Sequence, residues 1–89
     1  MYSSAYVWAK VLTHMENLLS TTVISTWFDD AEVVELTENK LVLYSPSEFR
    51  KNIIETRCVG HIQDAMKELF DMNVEVQVLS GEEVEAYKQ

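Results

Sequence analysis

Cysteine, proline and glycine are nearly missing from this chain, which holds one, one and two of them. A single cysteine excludes an internal disulfide framework and any cysteine-rich metal site, and it suits a reducing, cytoplasmic compartment. Cys58 falls within a helical apolar stripe and reads as a packed thiol rather than a nucleophile. The only glycines, Gly60 and Gly81, form neither a Walker loop nor a dinucleotide-binding glycine run. No apolar run approaches the ~20 residues that span a bilayer, and the N-terminus lacks the basic-then-apolar order of a secretory signal. Positive charge is scarce as well. Seven Lys and Arg against fifteen Asp and Glu leave a net charge of −8 with neutral histidines. Such a surface repels phosphates and anionic lipid on average, so neither nucleic acid nor membrane is the expected main partner.

Apolar residues are plentiful. They make up 47% of the 89 residues, enough to exclude disorder and to fill one modest core in one domain. Between residues 5 and 19, Trp8, Val11, Leu12, Met15, Leu18 and Leu19 recur at helical spacing. Val7 beside Trp8 widens the arc, which fits either a broad core contact or an exposed apolar knob. Ser20-Thr21-Thr22 interrupts this helix, and a short second helix follows with Ile24, Trp27 and Phe28 turned inward. Two strands come next, residues 32–36 and 40–44, joined through Thr37-Glu38-Asn39. Alternation places Val34 and Leu36 on one face and Glu35 on the other. In the second strand Leu41 and Leu43 oppose Val42 and Tyr44, as in a central, doubly covered strand or one with an exposed outer patch.

The organising element is the stretch 45–70. Ser45 suits an N-cap, Pro46 the first helical position and Glu48 the far side of a capping box. Phe49, Ile53, Cys58 (or Ile54), Ile62, Ala65, Met66, Leu69 and Phe70 then form the apolar stripe. Gly60 marks either a close crossing or a bend. Residues 74–79 alternate as a third strand, and 82–89 read as a polar tail or the start of a linker, leaving 1–81 as the domain. The order α-α-β-β-α-β makes an α/β (α+β) fold with KH-like topology, a three-stranded sheet carrying helices on one face. The Gly-x-x-Gly clamp of RNA-binding KH domains is missing.

Reactive constellations are scarce. His14 and His61 fall on polar helix sides with no nucleophile motif linked to either, and no metal-ligand spacing occurs. The expected catalytic, metal and cofactor sets are therefore empty. Arg50, Lys51 and Arg57 are the candidates for a weak nucleic-acid contact. Function is expected to rest on exposed aromatic surface, with Trp8 and Phe49 as the candidates. Phe49 could equally be the first core residue of its stripe.

Trp8 with its leucine pattern, Thr26-Trp27-Phe28, and the run Leu41-Val42-Leu43-Tyr44-Ser45-Pro46-Ser47-Glu48-Phe49 together resemble the N-terminal domain of the bacterial replication initiator DnaA. The likeness covers residues 5–80. Asp30 and Ser47 depart from it, standing where proline and asparagine are usual. The resemblance implies a non-catalytic module, with the ATPase and the origin-reading helix-turn-helix on other domains. Its implied partners are other initiator copies, the replicative helicase and regulators of initiation. Trp8 matches an aromatic linked to self-association, and Phe49 one linked to helicase contact. Val23 stands where some members carry an acidic residue, and Thr22, Val23 and Thr26 lie where regulators dock in relatives. A free-standing adaptor of the same fold, or a weak single-strand-binding KH-like module, are the alternatives.

Overall fold

The computed structural model describes residues 3–88. Helix α1 (Ser4–Leu18) begins at Ser3, whose hydroxyl accepts the Tyr6 amide at 3.1 Å. Val7, Trp8, Val11 and Met15 are all buried, so the paired Val7 and Trp8 make a broad core contact rather than a knob. Leu18 is left outside at 61% exposure while Leu19 packs on the core. Helix α2 (Thr21–Phe28) starts at Ser20, which accepts the Val23 amide at 3.1 Å. Ser20 has φ 144°, a conformation that L residues rarely adopt, and it turns the chain sharply between the two helices. Ile24 and Phe28 are buried as the pattern requires. Trp27, expected to point inward with them, is only half-buried.

Strands β1 (Glu32–Leu36), β2 (Lys40–Tyr44) and β3 (Glu75–Leu79) form one sheet in the order β1-β2-β3. The first pair is antiparallel and the second parallel. Central β2 is covered on both faces: Leu41, Val42 and Leu43 are 1%, 0% and 0% exposed. In β1 the alternation is broken by a register shift between Val33 and Glu35. The extra residue of this bulge sends Val33 and Leu36 to the main core and Val34 to the opposite face. The expected pairing of Val34 with Leu36 is thereby corrected.

The long helix starts two residues later than its sequence suggests. Ser45 is buried and its amide donates to the Leu79 carbonyl at 3.0 Å, so it still belongs to the β2–β3 ladder. Ser47 is the cap instead, accepting the Arg50 amide at 3.2 Å, and Pro46 precedes it. Helix α3 (Glu48–Ile53) passes through a π-helical turn (Ile54–Cys58) into α4 (Val59–Phe70) without interruption. A Cβ placed at Gly60 would meet nothing within 4 Å, so no close crossing occurs there. The irregularity lies just before it, in the widened turn. Asp71, at φ 55° and ψ 38°, ends the helix in the left-handed conformation usually given to glycine.

Helices α1, α2 and the α3–α4 rod pack on one face of this mixed sheet, in a KH-like α/β arrangement. The other face is not bare. The segment read as a polar tail, 82–89, folds from Gly81 to Lys88 as helix α5, while Gln89 lies outside the described residues. Ser80 and Glu83 form a reciprocal capping box: the Ser80 amide donates to Glu83 Oε1 at 2.9 Å, and the Glu83 amide to Ser80 Oγ at 3.3 Å. Val84 then packs on Val42 and Leu79. Tyr87 donates its hydroxyl to Glu35, and Lys40 Nζ lies 5.3 Å from the Tyr87 ring centroid. Glu82, Glu83 and Glu85 surround Val84, the one buried side chain of this two-turn helix, which is why the segment reads as polar.

The bonds from Ser80 hold the Glu83 carboxyl below the usual carboxylate range. Stability from such a group is complete above its unfolded pKa of ~4.3 and is lost as pH falls through the lower folded value. Hydrogen exchange should therefore show α5 amides losing protection in acid before those of β2. At neutral pH, Ser80→Ala should cost about 1 kcal/mol in chemical denaturation and raise exchange in α5 selectively.

Candidate protein-interaction site

Phe49 sits in the first turn of α3 and is 67% exposed, the most exposed large apolar residue among those described. Its ring meets Trp27 edge-on, with centroids 5.8 Å apart and planes at 60°. Val23, 38% exposed, precedes Trp27 by one helical turn on the same side of α2. The three side chains form an apolar surface spanning the α2–α3 junction. Thr22 and Thr26 flank it, both exposed, with the Thr26 hydroxyl donating to the Thr22 carbonyl at 2.8 Å. That bond removes a competing hydroxyl donor from the patch. Sequence reasoning had Phe49 and the outer side of α2 as candidates but missed that Trp27 joins them. Trp27 and Phe28 are adjacent and point about 100° apart on the helix, and with Ile24 and Phe28 on the core side Trp27 is left at its edge.

Basic residues behind Phe49 are mostly committed within the fold. Arg50 Nη1 lies 2.7 Å from Asp30 Oδ2, and Lys51 Nζ lies 2.9 Å from Glu55 and 3.4 Å from Glu83. The Glu55 hydrogen bond raises the Lys51 pKa above its ordinary value against the opposing effect of burial. Only Arg57 of the three has no ion-pair partner among the described residues. The result is a neutralised border around an apolar patch, a poor landing site for a polyanion.

Trp8 is placed differently. It is 8% exposed and packs edge-on against Phe28 at 5.7 Å. The idea of Trp8 as a surface aromatic is corrected: it is a core residue whose remaining edge floors a shallow concavity with Ala5, Ala9, Leu12, Ala31 and Val33. Of the other polar candidates, His14 Nε2 lies 3.3 Å from Glu68 Oε2, and His61 is half-buried. Cys58 is buried, and burial pushes its thiol pKa up. Among the described residues no cluster of three His, Cys, Asp or Glu could hold a metal, and no helix is long and apolar enough to cross a membrane.

Residues 5–68 match the model of the DnaA N-terminal domain. The chain belongs to the DnaA N-terminal domain family. It is 29% identical over 79 residues to the chromosomal replication initiator protein DnaA of Caldanaerobacter subterraneus subsp. tengcongensis, covering 89% of this chain and 18% of that protein. The DnaA of a Picosynechococcus species is 30% identical over 77 residues, covering 86% of this chain and 17% of the relative. That of Buchnera aphidicola subsp. Baizongia pistaciae is 30% identical over 70 residues, with 79% and 15% covered. The chain therefore spans less than a fifth of the length of these relatives. The DnaA N-terminal match ends at residue 68, so β3 and α5 lie beyond it.

The two aromatic candidates should separate in a stability measurement. Trp8→Ala should cost about 3–5 kcal/mol in chemical denaturation, as deletions of buried aromatic rings do. Phe49→Ala, which loses mainly an edge contact at the surface, should cost about 1 kcal/mol or less.

Proposed function

We propose that this domain is a non-catalytic adaptor of a bacterial replication initiator, acting in the cytoplasm to hand the replicative helicase to the origin. The observation that carries the reading is the Phe49–Trp27 patch. An aromatic ring 67% exposed on a rigid helix start, supported from behind by a second ring, is the kind of anchor that interfaces bury. The ring has only two side-chain torsions to fix, and its Trp27 contact already limits them, so little ordering entropy is lost on binding. Thr22, Val23 and Thr26 extend the same surface toward regulators of initiation, which would then compete with the helicase or stabilise its contact.

Self-association is the second part of the proposal. With its ring packed inside, Trp8 acts by shaping the concavity beside Ala5 and Ala9 rather than by protruding into a partner. A weak contact of this kind becomes effective once several initiators are held side by side on DNA, because tethering raises their effective concentration.

An NMR titration of the labelled chain with the cognate replicative helicase tests the first part. Amides around Phe49, Trp27 and Val23 should respond, and Phe49→Ala should abolish the response while its spectrum stays folded. Helicase binding that is indifferent to Phe49→Ala would defeat the assignment. For self-association, Ala9→Glu is the better probe, since Ala9 is exposed and its replacement leaves the core filled. Sedimentation should show a shift toward monomer; an unchanged distribution would count against this surface.

A further inference from the structure

A second apolar surface lies at the opposite end of the long helix. Val7, Leu36, Leu69, Phe70 and Met72 line an open groove of about 580 Å³ where the end of α4 meets the β1–β2 turn. Leu69 is 39% exposed within it, although it belongs to the apolar stripe that should be covered. The polar residues of the groove are Thr37 and three exposed acids, Glu38, Glu68 and Asp71, with no Lys or Arg among the lining residues. Asp71 is bridged by Lys67 at 2.7 Å, which holds its carboxyl below the usual carboxylate range. Glu68 has only His14, at 3.3 Å, and Glu38 has no ion-pair partner among the described residues.

We infer that this groove docks a basic amphipathic segment of a partner protein, one that presents apolar side chains between Lys or Arg residues. The choice of occupant follows from charge. An apolar floor favours burying aliphatic or aromatic side chains, and uncompensated carboxylates beside it favour cations at their flanks. Phosphate-bearing partners and anionic lipid are repelled by the same carboxylates. A second copy of this chain is a poor occupant: it carries −8 overall, and two of the three basic residues near Phe49 are already paired with Asp30, Glu55 and Glu83. The groove is independent of the Phe49 patch, from which Leu69 is twenty positions away along one helical rod, roughly 30 Å.

The test uses the labelled 89-residue chain and a synthetic helix of about 15 residues, Leu on one face and Lys on the other, followed by NMR. A control peptide carries Glu in place of every Lys. Amides of Leu36, Glu38, Leu69 and Met72 should shift with the Lys peptide and stay still with the Glu peptide. The double variant Glu38→Lys/Glu68→Lys changes exposed side chains only and should weaken binding about tenfold, while Phe49→Ala should leave it unchanged. Three results would overturn the inference. Shifts could spread evenly over the acidic surface, the double variant could bind as well as the parent, or groove amides could move on diluting the chain alone, which would mean that another copy fills it.

Discussion

The rotation of the long helix about its own axis decides which aromatic side chain this domain shows to solvent. Ile54, Cys58, Ile62, Ala65 and Met66 are buried beneath it, three of them at 0% exposure among the largest core side chains. Each large apolar side chain so placed contributes about 1.5–3 kcal/mol relative to exposure. At 100° per residue, Phe49 falls roughly 140° around the rod from Ile54, on the far side of that stripe. Turning Phe49 inward would expose Ile54 and Ile62 together. The fold therefore holds the ring outside by the weight of the residues it buries, with no need of a local device at Phe49 itself.

That constraint also marks the limit of what the sequence could tell. Ile53 and Ile54 are adjacent and chemically alike, and choosing Ile53 makes Phe49 the first core residue of a stripe. Choosing Ile54 puts Phe49 in water. Periodicity alone cannot arbitrate, because a π-helical turn between residues 54 and 58 admits one more residue than an α-turn does. The order of the elements up to β3 and the amphipathic α1 were readable, since each rests on many residues voting for one period, whereas the pattern of β2 fitted a central strand and an exposed outer patch alike. The bulge at Val34 was not, being a single-residue insertion whose only signature is cross-strand register. The cap at Ser47 was displaced by tertiary structure: the Leu79 carbonyl captured the Ser45 amide, and strand pairing outweighed a good local capping signal.

Helix α5 shows the same competition from the other side. Its composition is that of a solvated tail, and one buried valine would not hold a helix of eight residues in water. What fixes it is the sheet, which would otherwise expose Val42 and Leu79 on its second face. Val84 covers them, Tyr87 reaches Glu35 across the sheet, and Glu83 links the helix to Lys51. The acidic residues of this segment are thus partly structural. Lys51 joins the rod that carries Phe49 to the helix that seals the opposite face, so the patch and the second core share one ion-paired residue. Exposed pairs of this kind contribute little individually, and both carboxylate partners of Lys51 are exposed, so the link orients the helix more than it stabilises it.

An acidic protein can still offer chemically distinct surfaces if its few cations are placed unevenly. Here Arg50 and Lys51 at the start of the rod are paired with acids and neutralise its border, whereas in the groove at its far end neither Glu38 nor Glu68 is paired with Lys or Arg among the described residues. A partner that reads the first surface must do so through apolar contact, and one that reads the second gains from carrying positive charge. At roughly 30 Å along a single rod, the two ends share no side chains, so their binding energies should add rather than compete. Two modest and additive contacts give a domain more selectivity than one strong contact of the same total energy. Each partner must satisfy a different chemistry, and the assembly tightens only where both are present.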